Sequence, residues 1–490
     1  MNPRWGATLL LIAALVAGCS STRPAPHAAT PDLGHGLAKK ITVEGMVTHL
    51  RALQDIANAN GGNRADGTPG FNASVDYVAK ALRDKGFDVQ TPQFDRLYTV
   101  SMGKPSLTVA GRTYPVDQAS LLVQTPPGGL TGQPIRPAQP SGCAAHDYPA
   151  AMPKGAIAVV DDTRCSVVDK QNAALAKGAS GLIVLSAPTG RGAPPTLFSP
   201  GYFKQLTVPV AVVNPYGASA LTGVTAPIRL VLDAVNTKIT SRNVVAQTKT
   251  GSPHDVVVVG AQLDGSRAGP GINDDGSGVA AVLETARQLG PLAPVNNAVR
   301  FVFWGAEAEG LNGVMDYVFG MDRDQLNDIA LYLNFTMLGS PNAGFFTDDG
   351  DQSGPPGPGV FAADVPEGSA GIERTLAGYL NLAGKRPADM PLNSRADYHP
   401  FMVAGVPIGG LTTGSSPTKT TVQARLWGGQ AGVPFDPNFQ SPRDTVDNIN
   451  REALGIMGSG VGFAVGSYAE SIGGVNGVPS HDKRHRTRMP

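Results

Sequence analysis

Six short polar clusters in the second half of the chain carry the residue types that do chemistry. They are Gly260-Ala261-Gln262-Leu263-Asp264, Gly271-Ile272-Asn273-Asp274-Asp275-Gly276-Ser277-Gly278, Trp304-Gly305-Ala306-Glu307-Ala308-Glu309-Gly310, Leu333-Asn334-Phe335-Thr336, Arg395-Ala396-Asp397-Tyr398 and Phe435-Asp436-Pro437-Asn438-Phe439-Gln440. Their carboxylates can offer oxygens to a metal ion or act as a general base, whereas their amides and hydroxyls offer neutral hydrogen bonds. The glycine run 271–278 lacks the lysine and the residue order of a phosphate loop, so it does not indicate nucleotide binding.

The elements around these clusters are legible from hydrophobic pattern. Val256 to Gly260, Val299 to Trp304, Ile329 to Phe335 and Val406 to Leu411 are apolar runs of the kind that fill a strand buried on both faces. Between the first two lies a helix over 276–290, with Val279, Val282, Leu283, Ala286 and Leu289 on one side. Strand-then-helix alternation predicts an α/β fold with a doubly wound, mostly parallel sheet and helices on both faces. Ligands of such sheets bind beyond the carboxyl ends of the strands, where four of the clusters fall. Upstream, Val47, Leu50, Leu53 and Ile56, then Val75, Val78, Leu82 and Phe87, mark two amphipathic helices separated by the turn-rich Asn63–Gly70. From 98 to 236 the texture changes to short β-type runs (157–160, 182–185, 208–213) with a helix from Asp169 to Lys177, which predicts a separate, smaller β-rich α/β domain. A glycine-rich helix is expected at 451–470, and the basic run His481 to Arg488 reads as a solvated terminus.

Composition narrows the classes. The 490 residues hold 39 Lys+Arg and 39 Asp+Glu, so there is no basic surplus to suggest nucleic acid as a partner. A hydrophobic fraction of 41% excludes disorder for the bulk of the chain. The start is a leader: Arg4, an apolar run from Ala7 to Ala17, then Gly18-Cys19. The ending Leu15-Val16-Ala17-Gly18-Cys19 resembles a bacterial lipobox, which implies cleavage after 18, an acylated (palmitate-bearing) Cys19, and a Ser/Pro/Ala-rich tether over 19–40. With Cys19 lipidated, Cys143 and Cys165 remain as one pair, expected to form a disulfide worth roughly 3 kcal/mol in the chain-entropy model.

Together the six loops, matched in order, resemble zinc-dependent aminopeptidases that hold two co-catalytic metals on a doubly wound sheet. The nearest type is a bacterial lipoprotein aminopeptidase with an inserted protease-associated domain. The resemblance implies an aminopeptidase-like domain over 41–97 and 237–472, the insert over 98–236, and a basic tail over 473–490. It also implies five metal ligands, a glutamate general base and a tyrosine that helps hold the oxyanion. Carried over residue by residue, the family's first histidine is Gln262, the bridging aspartate is Asp274, the general base is Glu307 and the adjacent glutamate ligand is Ala308. The next aspartate is Thr336, the last histidine is Gln440, and the tyrosine is Phe439.

One ligand of five is therefore retained, and the family's two-metal mechanism cannot run as written. Glu309, Asp275, Asp397 and His399 are the residues near enough in sequence to replace the lost ligands. Without metal, Asp274 serves as a helix N-cap, Asp264 and Glu307 serve as loop anchors, Trp304 is core or pocket wall, and Gln262, Thr336 and Gln440 can fill the vacated site with a neutral network. The expected protein is a lipid-anchored, extracytoplasmic pseudoenzyme that binds a peptide or protein and holds no cofactor. The alternative is an active zinc aminopeptidase with an altered metal site.

Overall fold

The computed structural model describes residues 32–186, 197–199, 201–361 and 364–488; the leader and Cys19 lie outside these. Eight strands form the main sheet, in the spatial order Val89–Gln90, Val244–Gln247, Asn297–Trp304, Ser252–Gln262, Ile329–Phe335, Ile408–Thr412, Phe346–Asp348 and Ala388–Met390. The four central strands, from Asn297–Trp304 to Ile408–Thr412, run parallel, and antiparallel pairings occur only toward the edges.

Strand alternation divides the core in two. Val257, Val259 and Ala261 face one side, packing with Val279, Leu283, Met457 and Val461 of the helices Ser277–Leu289 and Arg451–Glu470. Val256 and Val258 face the other, with Val314, Val318, Phe401 and Met402 of the helices Asn312–Phe319 and Tyr398–Val403. Trp304 is core: it is fully buried, and its indole N–H donates to the Tyr332 hydroxyl at 2.9 Å.

A two-stranded antiparallel stem, Gln93–Ser101 with Val235–Arg242, leads into and out of the inserted domain. That domain carries a five-stranded and a four-stranded sheet. Cys143 and Cys165 are joined in a disulfide. The fully buried Lys170 ammonium ties the same two loops, donating to the carbonyls of Ser141 (2.8 Å) and Thr163 (2.6 Å).

Two terminal segments differ from the sequence expectation. Leu33–Ala38, at the end of the stretch read as a tether, is a helix seated on Arg451–Glu470. The glycines of the longer helix permit the close approach: a Cβ on Gly466 would lie 2.6 Å from the Leu33 carbonyl oxygen. The basic tail is docked rather than solvated. Arg484 and Arg486 are 6% and 5% exposed. Arg486 donates to the carbonyls of Leu326, Ile329 and Gly405, and Arg484 to those of His254 and Asn327 and to the Asp255 carboxylate. Carbonyls at helix ends need donors, and a guanidinium supplies several at once. Among the described residues no helix is long and apolar enough to cross a membrane.

Candidate functional site

The carboxyl ends of the central parallel strands open onto a cavity of about 910 Å³. Gln262, Asp274, Glu307, Ala308, Thr336, Phe439 and Gln440 all line it, so the structure brings every aligned position to one place.

The loops are held by carboxylates and one cation. Asp264 accepts from the backbone N–H groups of Glu307 (2.9 Å) and Ala308 (3.2 Å). Asp275 accepts from those of Gln262, Gly278 and Met337, and Asp444 from those of Asn273 and Asp274. Arg64 is completely buried and donates to the carbonyls of Pro270 (2.9 Å), Leu263 (2.6 Å) and Gly271 (2.5 Å). Burial pushes its guanidinium down, while Asp444, Asp264, Asp275 and Asp274 around it push the other way.

Several expectations are corrected. Asp274 does not cap the following helix: the cap position is Gly276, and the carboxylate that reaches the helix N–H of Gly278 belongs to Asp275. Asp264 is the loop anchor, whereas no described residue hydrogen-bonds the Glu307 carboxyl, which faces the half-buried cavity wall. No neutral network forms, because Gln262 turns its amide to the Asp264 carbonyl at 3.0 Å instead of toward Thr336 or Gln440.

Most of the possible replacement ligands are engaged elsewhere. Glu309 is ion-paired to Arg96 (2.8 Å) and Arg267 (3.3 Å), which draws it to the stem of the insert. Asp275 is spent on three backbone donors. His399 does not line the cavity; burial pushes its imidazole down, and Asp364 works the other way. Asp397 does line it, and so does Asp348, which carried no signal in the sequence beyond lying in an acidic turn. Arg64 and Asp444 were equally silent there, one in a turn-rich loop and one after the last motif.

Burial first, then neighbouring carboxylates, raises the acids of this wall. Asp274 is pushed up to about 7 by burial, Asp444 and Asp436. Glu307 is held well above the usual range by burial, Asp397 and Asp264. Asp348 is pushed up to about 8 by burial, Asp397 and Glu373, and Asp397 to about 7 by burial. The Oδ2 of Asp348, Oδ1 of Asp397 and Oδ1 of Asn334 are buried without a hydrogen-bond partner among the described residues.

These shifts predict a pH dependence. In the unfolded chain a carboxyl ionises near 4, whereas Asp348 and Asp397 stay protonated in the folded state to about 8 and about 7. The folded state therefore binds more protons across that window, and its stability falls as pH rises from about 4 to about 8. Asp348→Asn, neutral at every pH, should raise the unfolding midpoint at pH 8 by the equivalent of about 1–3 kcal/mol and add little near pH 4. Thermal unfolding at both pH values checks this; an equal shift at both would contradict it.

A pair of zinc ions does not fit these residues. Ala308 presents a methyl group, and Gln262, Thr336 and Gln440 present neutral oxygens and nitrogens that suit zinc poorly. Among the described residues, no three His, Cys, Asp or Glu donors at the cavity converge to within 4.8 Å.

Comparison with known proteins agrees with the frame. A profile of Peptidase family M28 matches residues 243–465, and a PA domain profile matches 130–221. The chain is 38% identical over 443 residues to an aminopeptidase of Pseudomonas aeruginosa, covering 87% of this chain and 81% of that one. Its fold superposes on an aminopeptidase from Aneurinibacillus sp. strain AM-1 with a TM-score of 0.50 at 21% identity, over 89% and 96% of the two chains. The Mycobacterium tuberculosis protein described as a probable lipoprotein aminopeptidase, LpqL, is 46% identical over 497 residues, covering 99% of this chain and 98% of its own. With a sequence shared at that level along virtually its whole length, the chain belongs to peptidase family M28.

Proposed function

We propose that this chain is an extracytoplasmic lipoprotein, anchored through an acylated Cys19, whose cavity binds the N-terminal end of a peptide or protein without hydrolysing it. The observation that carries this reading is the Ala308 methyl at a position the family pattern assigns to a ligand, in a cavity where, among the described residues, no three acidic or histidine donors converge. The lipid anchor is supported by the lipobox-like Leu15–Cys19 and by a similar relative described as a lipoprotein. Asp274, Glu307, Asp348 and Asp397 line the cavity, with Arg395 as the one basic side chain among its lining residues. Burial and mutual repulsion keep these acids protonated when alone, and an adjacent cation, such as a peptide's terminal ammonium, would draw them into their ionised form and be held by it.

The second reading, an active metallo-aminopeptidase with an altered zinc site, draws on the same four carboxylates. Incubating the purified chain with short peptides, with zinc and then with a chelator, separates the two. The binding reading expects no amino-acid release, and peptide binding that survives the chelator and weakens on N-acetylation. Release of amino acids that the chelator abolishes would establish the second reading instead.

A further inference from the structure

We propose that His254, Asp328 and His481 form a zinc site that staples the C-terminal tail to the sheet, at the end opposite the cavity. The three residues come from distant parts of the chain. His254 lies at the start of the central strand Ser252–Gln262, Asp328 ends the helix Arg323–Asp328, and His481 opens the short turn His481–Lys483 of the tail. Gln262, at the other end of that strand, faces the cavity, so the two sites are separated by roughly 25–30 Å of extended chain.

The donor atoms are already gathered. One donor atom from each of the three residues lies within 4.8 Å of the other two. His254 Nδ1 lies 2.8 Å from Asp328 Oδ1, and His481 Nε2 lies 3.3 Å from the same oxygen. Zinc bonds to nitrogen and oxygen are about 2.0–2.2 Å, so neighbouring donors of a tetrahedral site stand about 3.3 Å apart. Small side-chain rotations reach that arrangement. Two imidazoles and a carboxylate are a donor set suited to zinc, and water can complete the fourth position. The side chains of His254, Asp328 and His481 are 67%, 33% and 44% exposed, which leaves the ion a path in.

The backbone beneath the site is held independently of any metal. Arg484, buried under the turn, donates to the carbonyls of His254 (2.7 Å) and Asn327 (2.8 Å), and Asn327 Nδ2 reaches the His481 carbonyl at 3.3 Å. The ligand-bearing segments are therefore in register before an ion arrives, and binding needs only side-chain adjustment. The consequence is a cross-link between the tail and the strand starts it covers, added to the grip of Arg484 and Arg486.

Calorimetric titration of zinc into the purified, chelator-stripped full chain tests this, together with thermal unfolding. One ion per chain is expected, with a rise in unfolding midpoint that chelator reverses. His481→Ala and His254→Ala should each weaken zinc binding by more than the roughly 10–100-fold that loss of an outer-shell partner costs, with little change in the metal-free midpoint. Asp274→Asn, in the cavity, should leave zinc binding unchanged. Absence of zinc uptake, retention of tight uptake by His481→Ala, or its loss in Asp274→Asn would each overturn the assignment.

Discussion

Gln262→His, Ala308→Glu, Thr336→Asp and Gln440→His, introduced together, should make the cavity take up zinc and give the chain chelator-sensitive release of amino acids from peptides, which the binding reading expects to be absent from the unaltered chain. The expectation rests on a frame that the chain's own residues build. All four positions, with Asp274 and Glu307, face one cavity, and the loops around it are pinned by Asp264, Asp275, Asp444 and Arg64. The substitutions bring two histidines, a glutamate and an aspartate to join Asp274, a set whose three carboxylates can offset much of the charge of two divalent ions. Adding Phe439→Tyr should raise kcat by a further factor of roughly 10², the usual worth of one oxyanion donor. Zinc stoichiometry and turnover of the four- and five-residue variants are the readouts. A folded variant that takes up no zinc beyond the single ion of the tail site would mean the cavity itself has been reshaped, beyond its side-chain identities.

Arg64→Ala should cost the larger domain about 3–5 kcal/mol of stability, among the largest effects expected of a single residue here. Arg64 is fully buried, and its three donors satisfy carbonyls on the loop that leads from Leu263 to Gly271. Removing it leaves those carbonyls unpaired and leaves Asp444, Asp264, Asp275 and Asp274 without their central cation. Arg64→Lys should recover little, because an ammonium cannot present the planar fork that reaches three acceptors. Denaturant unfolding, followed through the buried Trp304, measures the loss; a change under about 1 kcal/mol would show that the carboxylates are neutralised by protonation alone.

The ordering of these two effects separates what the site lost from what it kept. Four positions that the family pattern assigns to metal ligands carry Gln262, Ala308, Thr336 and Gln440, while the frame around them is held by backbone hydrogen bonds to carboxylates. Such a frame holds a ligand-binding cavity as well as it would hold a metal.

Much of this was legible from one-dimensional pattern. Continuous apolar runs such as Val256–Val259 and Ile329–Leu333 can be buried on both faces only in a central strand, and the structure places both there. The period of Val279, Val282, Leu283 and Ala286 has one solution, a helix with that face on the sheet. Three of the clusters, at 260–264, 304–310 and 333–336, end central strands, because strand direction and loop position follow from that alternation. The aligned positions, including the alanine at 308, are a matter of residue identity, which no fold can alter.

What the tertiary structure alone decided is where each polar side chain turns. Glu309 stands one residue from the vacant ligand position, but Arg96 and Arg267, distant in sequence, draw it away. Asp275 rather than Asp274 caps the helix, and the Glu307 carboxyl stays open to the cavity rather than bonded. Arg484 and Arg486 read as a solvated charge run, yet they end up buried because carbonyls near Leu326 and Gly405 lacked donors. Apolar pattern is local and periodic, so sequence carries it; hydrogen-bond and charge pairing are made between segments that meet only after folding, so their partners belong to the tertiary structure.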